Sequence, residues 1–105
     1  TEAFAKKILS NKEFILWKDY LPGKQKTFLA KQFAGKEAIA KALGIGFQNG
    51  IFPKDIEILR NDEGKPYISA QGSLKNVFTD LEITSSHVSI ADETDYVVAF
   101  AIIEK

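Results

Sequence analysis

Apolar and polar residues follow a helical period in the first part of this chain. Apolar residues recur there every three or four positions, which is typical of helices that bury one face. The pattern predicts three helices, over residues 2–9, Lys12–Leu21 and Gln25–Leu43. Ser10 or Asn11 precedes the second helix, and both residue types commonly cap a helix start.

The rest of the chain mostly shows the period of two that is typical of strands. It predicts strands over Asp55–Arg60, Lys65–Ala70, Ser86–Ala91 and Tyr96–Ile103, with a short helix over Gly72–Leu81. Helices come first and antiparallel strands follow, so the element order indicates an α+β fold. We expect an antiparallel sheet packed on one long helix, with short helices beside it.

Composition limits the class of protein without identifying it. The 105 residues fit a single domain over residues 1–105. Fourteen basic and fourteen acidic residues cancel, so the net charge gives no reason to expect a nucleic-acid or membrane partner. The lysines are concentrated in the N-terminal half, which would suit an acidic protein partner.

Cysteine and histidine counts exclude two kinds of metal site. The chain has no cysteine and one histidine, so it cannot form a thiolate or a histidine-based zinc site. The lack of cysteine also fits a cytoplasmic protein. The longest apolar run, Val97–Ile103, is shorter than the roughly 20 residues that span a bilayer, and we expect it to be a buried strand.

The long helix carries the strongest candidate for chemistry, a Lys-Glu-Ala-x-x-Lys cluster followed by Gly-x-Gly. Glu37 and Lys41 lie four residues apart and therefore share a helix face. Alanines beside them would leave an open shelf: Ala30, Ala34 and Ala38. Gly44 and Gly46 end the helix and let a ligand approach the backbone closely. The alternative is a simple salt bridge on a solvated face, worth a few tenths of a kcal/mol.

Lys36 lies within the apolar arc of the same helix and needs a partner or a route to water. That arc consists of six apolar residues: Phe28, Leu29, Phe33, Ile39, Ala40 and Leu43.

Two further positions are candidates for binding, each with a structural alternative. Lys65 would be a phosphate ligand at the start of a strand, or one residue of an ordinary hairpin turn. His87 and Ser89 alternate with Val88 and Ile90, so one pair faces the core and the other faces away. A lone histidine is more often an ordinary sheet residue than a ligand. The Gly-x-Ser-x-Gly motif of serine hydrolases does not occur in the sequence.

Taken together, these segments resemble the holo-acyl-carrier-protein synthase family of the 4′-phosphopantetheinyl transferase superfamily. The resemblance covers nearly the whole chain, and its motifs occur in the family's order and spacing. They are Ile8-Leu-Ser-x-x-Glu13, Phe28-Leu-Ala-Lys-x-Phe-Ala-x-Lys-Glu-Ala-x-x-Lys-Ala-x-Gly-x-Gly46, Asp55-Ile-Glu-Ile, Gly64-Lys-Pro-Tyr67 and His87-Val-Ser-Ile90. Each motif is weak by itself, whereas the ordered set is specific.

The resemblance implies a Mg²⁺-dependent transfer of 4′-phosphopantetheine from coenzyme A to a serine of apo-acyl carrier protein. Adenosine 3′,5′-bisphosphate would be the other product. It also implies a cytoplasmic homotrimer that acts in fatty-acid synthesis, with its sites between subunits. Mg²⁺ suits this chemistry because it is bound by one or two carboxylates together with substrate phosphates and water.

The same resemblance assigns roles to individual residues. Glu37 would be a metal ligand, and either Glu37 or a metal-bound water would help to deprotonate the serine. Lys41 would hold the pyrophosphate, and the loop from Gly44 to Gly46 would lie along coenzyme A. Contacts to the adenine and 3′-phosphate end, in a neighbouring subunit's site, would come from Lys65, Pro66, His87 and Ser89. The carrier protein would be bound by Phe4, Lys6 and Lys7 on the first helix.

Two features depart from the family pattern. The family's N-terminal strand motif Gly-x-Gly-x-Asp, whose aspartate is normally the second metal ligand, does not occur. We therefore expect that the sequence begins after this strand, and that the chain as given binds Mg²⁺ poorly and folds poorly. The family also commonly has arginine where Gln32 stands. Coenzyme A contact would then be weaker, or would be supplied by Lys31 or Lys36.

Two other classes of function remain open at this point. A non-catalytic module that binds coenzyme A or carrier protein is favoured by the missing aspartate and by Gln32. The intact Glu37 and Lys41 argue against such a module. A structural α+β domain without a ligand is the other alternative, and it predicts no thermal shift with coenzyme A and Mg²⁺.

Overall fold

The structure is a computed structural model, and it describes residues 2–47, 51–70, 72–93 and 95–105. Its elements follow the predicted order. In chain order they are α1 Glu2–Ile8, α2 Asn11–Asp19, α3 Pro22–Ala42, a 3₁₀ turn Pro53–Asp55, β1 Ile56–Arg60, β2 Pro66–Ala70, α4 Gly72–Asp80, β3 Ser85–Asp92 and β4 Val97–Glu104. The predicted α+β class is confirmed. The 3₁₀ turn was not predicted, and it includes Asp55, the first residue of the strand predicted over Asp55–Arg60.

The strands form two antiparallel hairpins rather than the one sheet that the sequence predicted. Strand β1 pairs with β2, with Ile58 opposite Ile68. Strand β3 pairs with β4, with Val88 opposite Ala101. Within the described residues each hairpin is a separate two-stranded sheet. Both hairpins pack against α3, so the long helix joins them into one layer.

Helix α2 begins with a capping box, which settles the choice between two predicted caps. Ser10 is the N-cap, and its side-chain oxygen accepts a hydrogen bond from the Glu13 backbone N–H. The Glu13 carboxylate in turn accepts one from the Ser10 backbone N–H at 2.7 Å. The Ser-x-x-Glu spacing is the usual sequence signature of this reciprocal cap.

Helix α3 begins earlier than the apolar pattern predicted. It starts at Pro22, three residues before the predicted Gln25. Proline suits the first turn of a helix because the N–H that it lacks would have no partner there. At the other end Gly44 has φ +74°, and Ile45 N–H donates to Ala40 O at 3.0 Å. This is a Schellman motif, which ends the helix.

Two clusters of buried apolar side chains lie at opposite ends of α3. The first cluster joins the C-terminal part of α3 to both hairpins and α4, and its buried members are Ile39, Ala40, Ile56, Ile58, Leu74 and Val88. The second joins the N-terminal part of α3 to α1 and α2, and its buried members are Ala5, Ile8, Leu9, Trp17 and Leu29. No helix in the described ranges combines the length and the apolar character that crossing a membrane requires.

Candidate active site

Glu37 and Lys41 lie on one wall of an open cleft between α3 and β4. The cleft has a volume of about 530 Å³, and we call it the α3–β4 cleft. Its other lining residues are mostly small: Ala34, Ala38, Ala42, Val97, Ala99, Phe100 and Ala101. The sequence predicted an open shelf of alanines, and Ala34 and Ala38 do line it. Ala30 instead lines a groove beside Trp17 and Pro22.

Glu37 and Lys41 do not pair with each other. Ion pairs within 4.0 Å involve Glu2, Glu13 and Asp92 as the acids, and none of those in the described residues includes Glu37 or Lys41. The salt-bridge alternative is therefore not what the structure adopts. An exposed carboxylate and an exposed ammonium, one helical turn apart, are both available for a ligand.

Lys41 links the α3–β4 cleft to a second, smaller one at the end of α3. This second cleft, of about 300 Å³, is lined by Lys41 and Gly44 among others. The space above Gly44 is open, since nothing lies within 4 Å of the place where a Cβ would be. Glu37, Lys41 and Gly44 therefore follow one another along a continuous surface. Gly46 lies just beyond it and is exposed.

The structure corrects the prediction that Lys36 contacts coenzyme A. Lys36 is 0% exposed, and its ammonium donates to Glu13 Oε1 at 2.7 Å. It also donates to Pro53 O at 2.9 Å and to Ile56 O at 2.7 Å. All three ammonium donors are thus used inside the protein. Burial lowers the pKa of Lys36, and the Glu13 carboxylate opposes that shift.

Gln32 also faces the interior, where an arginine was expected from the family. It is 1% exposed, and its side-chain amide donates to Glu13 Oε2 and to Ile58 O. Glu13 was not predicted as a site residue. Two signals pointed to it, namely the capping spacing after Ser10 and the unpaired Lys36 in an apolar arc.

His87 and Ser89 lie on the exposed face of β3, while Val88 is buried and Ile90 half-buried. The predicted alternation of this strand is therefore confirmed. Residues directly paired in antiparallel strands share a face, so His87 lies beside Ile102 and Ser89 beside Phe100. Neither side chain lines the α3–β4 cleft.

Lys65 is exposed in the turn between β1 and β2, and Pro66 begins β2. The Asn61 side chain holds this turn by accepting hydrogen bonds from the backbone N–H groups of Glu63 and Lys65. Like His87 and Ser89, these two residues do not line the α3–β4 cleft. One chain therefore does not bring all of the predicted cofactor-binding residues together.

The carrier-protein residues predicted on α1 lie at the surface. Phe4 is 43% exposed and packs edge-on against Phe33, with ring centroids 5.9 Å apart. Lys6 and Lys7 are exposed. Lys6 lies 4.0 Å from Glu2 in a solvated pair, which contributes little to stability.

The described lining of the α3–β4 cleft contains one side chain that could bind a magnesium ion. Glu37 offers a free carboxylate there, while no cluster of three or more metal-binding side chains occurs among the residues that the structure describes. Mg²⁺ is often held by one or two carboxylates, with substrate phosphates and water completing its coordination. Glu37 therefore fits as one ligand of an ion that arrives with a phosphate substrate.

Comparison with known proteins identifies the family. The model of the 4′-phosphopantetheinyl transferase superfamily matches residues 1–101. A holo-acyl-carrier-protein synthase from Hydrogenovibrio crunogenus is 43% identical over 103 residues, which cover 98% of this chain and 80% of the relative.

Solved structures agree with this assignment. The crystal structure of holo-acyl-carrier-protein synthase from Neisseria meningitidis matches with a TM-score of 0.90 at 36% identity, over 98% of this chain and 81% of that one. The Helicobacter pylori enzyme in complex with coenzyme A matches with a TM-score of 0.80 at 29% identity, over 96% and 81%. The chain thus belongs to the 4′-phosphopantetheinyl transferase superfamily and, within it, to the holo-acyl-carrier-protein synthases.

Proposed function

We propose that this protein transfers 4′-phosphopantetheine from coenzyme A to a serine of apo-acyl carrier protein, with Mg²⁺ as cofactor. Adenosine 3′,5′-bisphosphate would be the second product. The observation that carries the proposal is the unpaired Glu37 and Lys41, which face an open cleft one helical turn apart. They stand in the Lys-Glu-Ala-x-x-Lys motif of the family to which the chain belongs.

The chemistry requires the serine hydroxyl to attack the phosphorus that carries pantetheine. An oxygen–phosphorus bond forms to the serine, and the bond to the bridging diphosphate oxygen breaks. Lys41 would hold the diphosphate and offset the negative charge that develops on its oxygens. The serine proton would pass to Glu37 or to a water. Mg²⁺, held by Glu37 together with phosphate oxygens, would supply further charge neutralisation.

The rest of the cofactor would extend along the surface beyond Lys41. The open space at Gly44, which has no side chain, leaves room for the cofactor, and Gly46 would continue this path. Lys65, Pro66, His87 and Ser89 would bind the adenine and 3′-phosphate end in the site of a neighbouring subunit.

A homotrimer would explain why these residues lie apart from Glu37 in one chain. The outer face of the β3–β4 hairpin supports such an assembly. Val98, Phe100 and Ile102 are exposed there by 49%, 57% and 51%, on the same face as His87 and Ser89. Apolar side chains clustered in this way commonly mark an interface.

The carrier protein would dock on α1. Lys6 and Lys7 would attract an acidic partner, and Phe4 would supply apolar contact beside them. Charge complementarity of this kind chiefly speeds encounter and sets orientation. A cytoplasmic location is part of the same proposal, since the chain has no cysteine that would need an oxidising compartment.

The activity test is a mass measurement. The protein is incubated with MgCl₂, coenzyme A and apo-acyl carrier protein, and the carrier protein is then weighed by intact mass spectrometry. We expect a gain of one phosphopantetheinyl group, which EDTA abolishes. Glu37→Gln should slow turnover by about a hundred-fold or more, whereas Glu63→Gln, an exposed glutamate in the β1–β2 turn, should not.

An N-terminal extension that carries a Gly-x-Gly-x-Asp strand serves as a second form of the enzyme. Its aspartate would add a second metal ligand, so we expect it to need less Mg²⁺ for half-maximal activity. If neither form modifies the carrier protein, the proposed activity is wrong.

A non-catalytic binding module is the second candidate, because Glu37 is the only carboxylate among the described residues that line the α3–β4 cleft. Calorimetry with coenzyme A separates the two candidates. In an enzyme, Glu37→Ala should abolish turnover. A binding module would show no turnover before the substitution and would keep its affinity for coenzyme A after it.

A further inference from the structure

The outer edge of β1 is covered by side chains instead of a neighbouring strand. Within the described residues, β1 pairs with β2 along one edge only. Along the other edge the backbone N–H of Ile58 donates to Glu13 Oε2 at 3.1 Å. Ile58 O accepts from Gln32 at 2.9 Å, and Ile56 O accepts from Lys36 at 2.7 Å. Buried backbone groups need such partners, so this edge fixes the position of α3.

Glu13 is the centre of this arrangement, which we call the edge network: Glu13, Gln32 and Lys36. Each oxygen of its carboxylate accepts two hydrogen bonds. Oε1 accepts from Ser10 N–H and the Lys36 ammonium, and Oε2 accepts from the Gln32 amide and Ile58 N–H. Glu13 and Lys36 are both 0% exposed. A buried polar network with every group satisfied holds one geometry, because any shift leaves a charge without its partner.

Close packing beside the edge network restricts the helix further. A Cβ at Gly35 would lie 2.7 Å from Ile58 Cδ1 and 2.9 Å from Ile90 Cδ1. Helix α3 therefore approaches both hairpins closely at the residue before Lys36. Glu37 follows Lys36 directly, and successive residues turn by about 100° around a helix. The rotation that buries Lys36 is the one that turns Glu37 toward the α3–β4 cleft.

We propose that Lys36 is a positioning residue for the transfer reaction. Through the edge network it fixes the rotation of α3, so that Glu37 and Lys41 face the α3–β4 cleft. It touches neither coenzyme A nor carrier protein in this role. The kinetic test of this inference rests on the proposed function. The test by NMR spectra depends on the structure alone.

The test compares two variants that disturb the packing of α3 at different places. Lys36→Met combined with Glu13→Gln removes both charges of the edge network and keeps an amide near Ile58 N–H. Leu29→Ala, in the second apolar cluster, weakens the anchoring of the same helix without touching the edge network. Both are assayed at a temperature where circular dichroism shows them fully folded.

The kinetic readout is kcat at saturating coenzyme A and the Mg²⁺ concentration that gives half-maximal rate. A displacement of about 1 Å at the reacting groups can lower a rate by about a hundred-fold. We expect a loss of that size, with a raised Mg²⁺ requirement, in the Lys36→Met and Glu13→Gln double variant. Leu29→Ala should keep both values. Equal losses in the two variants would overturn the proposal.

The second readout needs no activity. Methyl groups of Ala38 and Ala42 on α3, and of Ala99 and Ala101 on β4, line the α3–β4 cleft. Cross-peaks between these methyl groups in NOE spectra should weaken or disappear in the double variant and persist in Leu29→Ala. Unchanged cross-peaks in the double variant would refute the positioning role. If neither the chain nor its N-terminally extended form has activity, the proposed function fails, and these spectra alone decide the role of Lys36.

Discussion

Removing the Lys36 ammonium should cost this protein much of its stability. The Glu13 carboxylate is 0% exposed, and in Lys36→Met it would lose the one ammonium that the described residues place against it. Breaking one side of a buried ion pair costs about 3–5 kcal/mol, because the remaining charge is neither paired nor hydrated. The free energy of unfolding of a domain is about 5–15 kcal/mol in total, so this loss is a large fraction of the stability. The melting temperature should fall by at least about 12 °C.

Urea unfolding measures this loss directly. Trp17 is the single tryptophan of the chain, and it is buried, so its fluorescence should change on unfolding. Far-UV circular dichroism follows all helices at once, and coincident curves would establish a two-state transition. A double-mutant cycle with Glu13→Gln then isolates the interaction between the two side chains.

Lys31→Met is the matched control, on the same helix. Lys31 lies 3.0 Å from Asp92, but the two side chains are 25% and 47% exposed. A solvated pair of this kind contributes little to stability. If Lys36→Met loses no more stability than Lys31→Met, the structural account of the buried pair is wrong.

Three other changes have defined outcomes. Gly44→Ala should lower the free energy of unfolding in urea by about 1–2 kcal/mol, because the φ of +74° at Gly44 is unfavourable for a residue with a side chain. Gly23→Ala, at an equally open position within α3, should not lower it. The Lys31 ammonium holds the pKa of Asp92 below its ordinary value of 3.8, so this pair should stabilise the fold above that pH and lose its effect as the pH falls through the lowered pKa. Lys31→Met should raise the Asp92 pKa in NMR titrations, and an unchanged value would contradict the contact. Phe100→Glu should reduce the molar mass measured by light scattering to that of one chain, whereas a native chain that is already monomeric would contradict the proposed trimer.

Local patterns in the sequence predicted most of the fold because helix and strand periods depend on near neighbours. The alternation from His87 to Ile90 correctly predicted that one pair of residues faces the core, and the structure shows that this pair is Val88 and Ile90. The start of α3 was missed because proline commonly interrupts a helix, although it also favours a first helical turn. The division into two hairpins was missed because alternation within a strand does not specify which strands pair.

In the candidate site too, the residues related by local spacing were predicted and the contact between distant residues was not. Glu37 and Lys41 share a face because of their spacing, which is a local property of a helix. Lys36 was assigned to coenzyme A because its partner is distant in sequence. Glu13 lies 23 residues away, and only the packing of α2, α3 and β1 brings the two together. The unusual position of a lysine within an apolar arc showed that Lys36 needs a partner, but it did not show that the partner is Glu13.

The separate apolar clusters at the two ends of α3 have a consequence for motion. Local opening of a protein follows groups of residues that are packed together. Here α2 is tied to α3 and β1 through Glu13 of the edge network, whereas α1 contributes no residue to that network. We therefore expect α1 to open while the rest of the fold stays closed. Amide hydrogen exchange should therefore show α1 exchanging before α2, α3 and the two hairpins. The surface proposed to receive the carrier protein would then be able to adjust to its partner without disturbing Glu37.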